Sequence, residues 1–388
     1  MSMQTPLITV LTSYYNDQDF LADAISSVLA QTYTNFEYIL INHASTDKSR
    51  EIAHSFQDPR VKHIDLPVNY GGSGNILIQK ALDVAQGEYL KTLGADDMLH
   101  PDGLEKLLTT AQAQQADLVF GNVSFVKEDK TPLEKTWFEH RYPANLPTVK
   151  YLSYLMRKVS VFPYAGNFIR AASLKQIPLD YVSVQLADMG VWTSLLLHGA
   201  KLAFAQDPVA DYRIHKGQMC SSANFDIIGL RCQFEHFLFY QHFFDAQPSL
   251  KLLKELFPED KIVSQLTEND QEFYSFCFVH ALYHLKVNPV CMLACRLRLA
   301  QFLNDYAFHQ RLEKRFGISI RQLREDIVKN PVLVRSIRYP LIPDGTKGIK
   351  QTIFGLLRKS IGLGLLLVWK INSYFKKENP KKNTGGFV

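Results

Sequence analysis

The sequence predicts an α/β protein in which a mostly parallel, doubly wound sheet is followed by a helical region and a basic amphipathic tail. Three observations predict it. Short apolar runs rich in β-branched residues alternate with helical periods through roughly the first 100 positions. From Phe225 the pattern turns to aromatic-rich helical stripes, such as Phe234, Phe237 and Leu238, then Phe273, Phe276 and Val279. From Pro331 onward, eleven Lys and Arg residues stand against only Asp344 and Glu378. The expected divisions are residues 1–222, 223–330 and 331–388.

Taken in order, Leu7 to Leu11 reads as a strand ending in Thr12-Ser13-Tyr14-Tyr15-Asn16. Phe20, Leu21, Ala24, Ile25, Val28 and Leu29 then recur at helical spacing. Phe36 to Ile41 is a second apolar strand, and Ala44-Ser45-Thr46-Asp47 caps a helix through Ile52. Val61 to Leu66 is a third strand, Asn69 to Gly74 a glycine-rich loop, and Ile76 to about Ala85 a helix. Tyr89 to Leu93 is a further strand, and it ends in Gly94-Ala95-Asp96-Asp97. In open α/β sheets ligands bind beyond the carboxyl ends of the strands, where all these polar loops fall. The first ~100 residues therefore read as a nucleotide-binding half.

Composition narrows the function. At 46% hydrophobic and 21% charged the chain is ordinary for a folded protein, and its 388 residues are ample for a large core. Of the net charge of +5 the tail carries +9, which leaves the first 330 residues at −4. A nucleic-acid binder places its basic stripe on the folded domain, so no nucleic-acid partner is expected and the tail is expected to meet its own anionic partner. Cys220, Cys232, Cys277, Cys291 and Cys295 form no CxxC pair and are expected to be reduced thiols. The opening MSMQTPLITV has no basic n-region and no long apolar run, which predicts a cytoplasmic protein. In the tail, Lys359, Lys370, Lys376 and Lys377 gather on one side of a helical wheel. Leu356, Leu357, Ile361, Leu367 and Ile371 gather on the other, with Trp369 nearby. Such a helix suits the anionic inner face of a membrane, and it also suits packing on protein.

Several segments in order resemble the family 2 glycosyltransferases of the GT-A fold. Ile8 to Gln31 is similar to the family's opening strand, Tyr-Asn turn and helix. Ile39 to Asp47 is similar to the strand followed by Asp-Asp-Gly-Ser-Thr-Asp, and Gly87 to Leu104 to the Gly-Glu-Tyr strand and the Asp-x-Asp metal motif. Gly166 to Arg170, Ala187-Asp188 and Tyr212-Arg213-Ile214-His215 resemble the acceptor half. The resemblance covers roughly residues 5 to 222.

The resemblance implies a GT-A catalytic domain that moves a sugar, with inversion, from a nucleotide-diphosphate donor such as a UDP-sugar. The acceptor expected is a growing surface glycan, lipid-linked or free, of the lipopolysaccharide, lipooligosaccharide or capsule kind. A leaving diphosphate gathers negative charge, so the site needs a divalent cation, Mn²⁺ or Mg²⁺, on hard ligands. Asp96 stands at the last Asp of Asp-x-Asp, with Gly94 in place of the first, and His215 is the implied second metal ligand. Tyr15 resembles the tyrosine that stacks on the base, with Ser13 beside it. Asn42 stands where the family has the Asp that accepts from the base, and His43 replaces the next Asp. Gly72 and Ser73 could present backbone N–H groups to phosphate, and Arg213 could neutralise it. Asp188 stands at the general base of a Glu-Asp pair whose Glu is Ala187. Asn167 and Trp192 are the acceptor-side candidates. Two other classes stay open: a nucleotide-sugar-binding protein without catalysis, because four acidic positions are replaced, and a dinucleotide oxidoreductase. The latter needs GxGxxG after the first strand, where this chain has TSYYND.

Overall fold

The computed structural model describes residues 5–71, 74–140, 144–157, 161–215, 225–246 and 248–329. The basic segment 331–388, with its expected amphipathic helix, lies outside them, as do Gly72 and Ser73.

One nine-stranded sheet organises the first half. Its strands are β1 (Ile8–Tyr14), β2 (Phe36–Asn42), β3 (Val61–Asp65), β4 (Tyr89–Thr92), β5 (Met98–Leu99), β6 (Leu118–Lys127), β7 (Pro132–Thr136), β8 (Asn167–Arg170) and β9 (Leu202–Ile214). They run β3-β2-β1-β4-β8-β6-β9-β5, with β7 added on β6. The first four strands pair in parallel, as expected from their alternation with helices Leu21–Leu29, Ser49–Ser55 and Gly74–Leu82. Beyond β4 the sheet is mixed: β8 is antiparallel to both β4 and β6, whereas β6 and β9 are parallel. Both faces of the central strands are covered, so β2 is buried at every position and reads as a continuous apolar run broken by Glu37. That carboxylate is held by Thr9 Oγ1 and Lys62 Nζ, both at 2.6 Å.

β9 is irregular where it passes the middle of β6. Gly121 lies opposite Ala205, but Val123 lies opposite Ala210, so β9 spends five steps where β6 spends two. The extra residues form bulges. Nearby, Gly121 and Gly166 allow backbone to meet backbone: a Cβ at Gly166 would be driven into the carbonyl oxygen of Gly121. Gly166→Ala should therefore lower stability by about 1–3 kcal/mol in chemical denaturation, the usual range for overpacking a dense interior. An unchanged denaturation midpoint would show that the turn at Gly166 yields freely.

The aromatic stripes after Phe225 form helices Phe225–Asp245, Leu250–Leu256, Tyr274–His284, Pro289–Asn304, Tyr306–Phe316 and Ile320–Lys329. They belong with the sheet to one unit, Met1–Asn330. Phe243, Phe276, Phe278 and Leu312 are fully buried among them. Cys291 and Cys295 face each other one helical turn apart at 4.0 Å with buried, reduced thiols, and burial pushes the Cys295 thiol well up. Among the described residues no helix is long and apolar enough to cross a membrane.

Candidate active site

The loops at the carboxyl ends of β1 and β2 are stitched to each other by side chains. Asn16 has a left-handed backbone (φ 58°), and its Oδ1 accepts from the N–H of Thr46 at 2.8 Å. The N–H of Asp17 donates to Ser49 Oγ, and that of Gln18 to Asp47 Oδ2. This cross-bracing presents Tyr15, 45% exposed, as an open ring. Ser13 is partly buried behind it in β1. His43 lies under both exposed tyrosines of the region: its ring meets Tyr15 edge-on at 6.5 Å and stacks on Tyr70 at 5.8 Å. Its Nε2 accepts from the N–H of Tyr70, and burial lowers the imidazole from its ordinary value.

Asn42 is placed otherwise than expected. It is buried, its Oδ1 accepts from the N–H of Ser45 and its Nδ2 donates to Asp65. Its oxygen thus serves the turn after β2 and its NH₂ the end of β3, where it meets the carboxylate of Asp65. That group also receives Arg50 and His54 at 3.0 Å.

Asp96 and His215 lie side by side: His215 Nε2 is 3.0 Å from Asp96 Oδ2. A Cβ at Gly94 would come within 2.7 and 2.9 Å of carboxylate oxygens of Asp96 and Asp97, so a side chain there would make those carboxylates swing aside. Asp97 turns inward, is 2% exposed and accepts the N–H of Arg213, and burial, with Asp96 beside it, pushes its carboxyl well up. Beneath the loop, Lys91 is wholly enclosed; its Nζ donates to the carbonyls of Thr92 and Ala165, and burial pushes it down to about 7.

Arg213 does not face open space. It is 2% exposed, and its guanidinium donates to Asp23 at 2.9 Å and lies over the Phe20 ring at 4.8 Å. His215 leans on the same ring at 4.5 Å. Arg213 thus fixes the end of β9 instead of reaching phosphate. Asp17 was missed in the sequence, although it stands in Tyr-Asn-Asp. It is drawn into the same cluster, and burial, reinforced by the charges of Asp96 and Asp47, pushes it up to about 6.

On the other side of β4, Asp188 occupies the first turn of helix Ala187–Leu197. The N-cap position is Leu186, with no side-chain cap bond, so Asp188 is not a capping residue. Its Oδ1 accepts from the N–H of Met189 at 2.7 Å. The residue keeps some exposure, but its carboxyl is enclosed, and burial pushes it up to about 7. Tyr164, a second missed residue, stands between the two carboxylate groups: it feels Asp188, Asp97 and Asp96 together, and burial pushes its phenol up to about 12. Asn75 ties the helix after the glycine-rich loop to this side, donating to the carbonyls of Asp180 and Ala187.

The acceptor-side candidates are corrected. Trp192 is 2% exposed, with its ring edge-on to Phe120 at 5.0 Å and to Phe162 at 5.8 Å, because its helix is buried nearly all round. Asn167 exchanges hydrogen bonds with the N–H, carbonyl and hydroxyl of Thr92, and also donates to the carbonyl of Tyr164. It joins β8 to β4, and the N–H groups of its amide are taken up there. A cavity of about 710 Å³ lined by Thr5, Asn35, Gln86 and Glu88 opens at the opposite ends of the strands, away from these residues.

The comparisons identify the family and the fold. The profile of Glycosyl transferase family 2 matches residues 9–177. TuaG of Bacillus subtilis, a glycosyltransferase whose name assigns it to teichuronic acid biosynthesis, is 30% identical over 224 residues, 57% of this chain and 84% of that one. GlyG, a glycosyltransferase of Streptococcus pneumoniae, is 36% identical over 118 residues, but only 30% of this chain and 38% of GlyG are covered. Among solved structures, residues 1–349 of S. aureus TarS in complex with UDP superpose with a TM-score of 0.51 at 15% identity, covering 80% of this chain and 92% of that one. At that identity the likeness speaks for the fold, a GT-A-like sheet with helices after it. A strand order with its polar loops at one edge, a profile match through the nucleotide half and a relative covered over most of its length together place the chain in glycosyl transferase family 2.

Proposed function

We propose that this glycosyltransferase moves a sugar, with inversion, from a UDP-sugar to a growing bacterial surface glycan. The observation that carries the reading is the Asp96–His215 pair just beyond the carboxyl end of β4, whose charges reach Asp17 in the loop after β1 that also carries the open Tyr15 ring. In this reading Tyr15 stacks on the base. Asp188 takes the proton from the acceptor hydroxyl as that oxygen attacks the anomeric carbon, and a carboxyl at about 7 is well matched to that task near neutrality. The UDP and UDP-GlcNAc complexes of TarS support a uridine donor, and the name of TuaG supports a surface polysaccharide as product.

Asp96 and His215 fit a divalent cation in part. A carboxylate oxygen and an imidazole nitrogen point at each other across 3.0 Å, and among the described residues no three such groups gather, so donor oxygens would complete the set. When bound, the cation supplies positive charge to the leaving diphosphate. The chain's own part is to hold Asp96 beside His215, and His215 against Phe20.

A thermal-shift screen of nucleotide sugars with Mn²⁺ tests the donor, since a ligand of the native state raises the melting temperature. A rise with UDP-sugars and not with other nucleotide sugars is expected. No rise with any of them would overturn the reading, and a rise without any turnover would favour a binding protein.

Peripheral association with an anionic membrane is proposed on the sequence of the tail alone. Truncation before Gly348 should leave the melting temperature of the rest unchanged and abolish sedimentation with anionic vesicles, as each Lys or Arg near such a surface contributes about 1 kcal/mol. Binding that survives truncation, or that is equal on neutral vesicles, would refute it.

A further inference from the structure

A carboxylate from the helical region holds the loop that leads into Asp188. Glu235, on helix Phe225–Asp245, is 1% exposed, and its Oε2 accepts from the N–H of Gln185 at 2.7 Å and of Leu186 at 3.0 Å. These are the amides at the head of helix Ala187–Leu197, the end at which a helix stabilises negative charge. The two helices are also fixed in register one turn farther on. His242 Nδ1 meets Ser194 Oγ at 3.1 Å, and a Cβ at Gly190 would come within 2.8 Å of the His242 ring.

Among the described residues, these titratable groups act on Asp188 or on its helix. Glu235 and His242 come from the helix packed against it, Tyr164 from the turn Tyr164–Gly166, and Asp180, which acts on His242, from the loop before it. Ala187 gives Asp188 no acidic neighbour from its own helix, and the acidic neighbour arrives instead from a different element.

We propose that Glu235 is a positioning residue for the transfer reaction, which pins the head of the Asp188 helix and, by placing a second negative charge there, keeps Asp188 a strong enough base. The proposal rests on Asp188 being that base. Two like charges sharing one helix end make the second carboxyl harder to ionise, and the field of Glu235 adds to burial in raising Asp188. A glutamine at 235 can still accept both N–H groups through its amide oxygen, so it removes the charge and leaves the geometry.

The test is the titration of the Asp188 carboxyl in the full chain, followed by ¹³C NMR and identified by its loss in Asp188→Asn, alongside turnover of UDP-GlcNAc. In Glu235→Gln the midpoint should fall, on the order of 0.5 pH unit or more, and the acidic limb of the pH profile of kcat/KM should move down with it. Glu235→Asp, which keeps the charge, should leave the midpoint raised, and it stands in if Glu235→Gln melts early. An unmoved midpoint in Glu235→Gln, with turnover lost in Asp188→Asn, overturns the proposal and spares the base. Undiminished turnover in Asp188→Asn overturns the base and the proposal with it, whatever Asp188 titrates at.

Discussion

Asp188→Asn should retain donor binding and lose sugar transfer by about 10²–10⁴-fold, the usual consequence of removing a general base. The substitution is nearly isosteric, and the amide oxygen can still accept from the N–H of Met189, so the head of the helix should survive. Isothermal titration of UDP-sugar and a transfer assay separate the two effects, and transfer near the native rate would remove Asp188 from the mechanism. The pH dependence follows from the raised carboxyl. A base must be ionised, so transfer should decline as pH falls through about 7. The stability linkage runs in the opposite direction. The folded carboxyl binds its proton more tightly than the unfolded one, so its contribution is fully present below the ordinary aspartate range and is lost as pH rises toward and through about 7. Asp188→Asn removes that loss and should be at least as stable as the native chain at neutral pH. Reduced activity with retained stability is the signature expected.

Asp96→Ala should abolish any tightening of UDP binding by Mn²⁺, and His215→Ala should weaken it. The two side chains make one pair, so the double variant should be no worse than Asp96→Ala alone. Asp96 is also a source of repulsion: its charge helps push up Asp17 and Asp97. Losing it should leave the melting temperature of the ligand-free protein unchanged or higher, which distinguishes a lost site from a lost fold. Calorimetry with and without chelator reads the first effect. Activity indifferent to chelator would rule the cation out and leave backbone N–H groups to meet the charge of the diphosphate.

The nucleotide half was legible because its signals are local. Alternating strand and helix periods gave β2, β3 and β4 to within a residue and the start of β1, whose end at Tyr14 lies three residues beyond the expected Leu11, and the ordered motifs named Asp96 and His215, which lie 3.0 Å apart. What escaped depended on side-chain direction and on partners distant in sequence. Asn42 and Arg213 sit in motif positions, yet Ser45 and Asp65 take up one and Asp23 the other, and no spacing rule foretells either partner. Trp192 has the ring a sugar would stack on, but its helix is buried nearly all round, and a uniformly apolar helix gives no sign of which face meets solvent. The mixed pairing of β8 and β9 was invisible for the same reason. It is made by contacts across about 50 to 85 residues, such as Leu118 opposite both Ile169 and Leu202.

The bulges in β9 make the chemistry of this site a matter of phase. Successive residues of a strand face opposite sides, so a change of one residue between Ala205 and Ala210 would invert everything downstream up to the end of the strand. Tyr212 and Ile214 would then be offered to Asp23 and Asp96, while Arg213 and His215 would turn away. A single insertion or deletion in this stretch would act as two simultaneous substitutions at the heart of the site, although every one of the side chains that serve it had been kept.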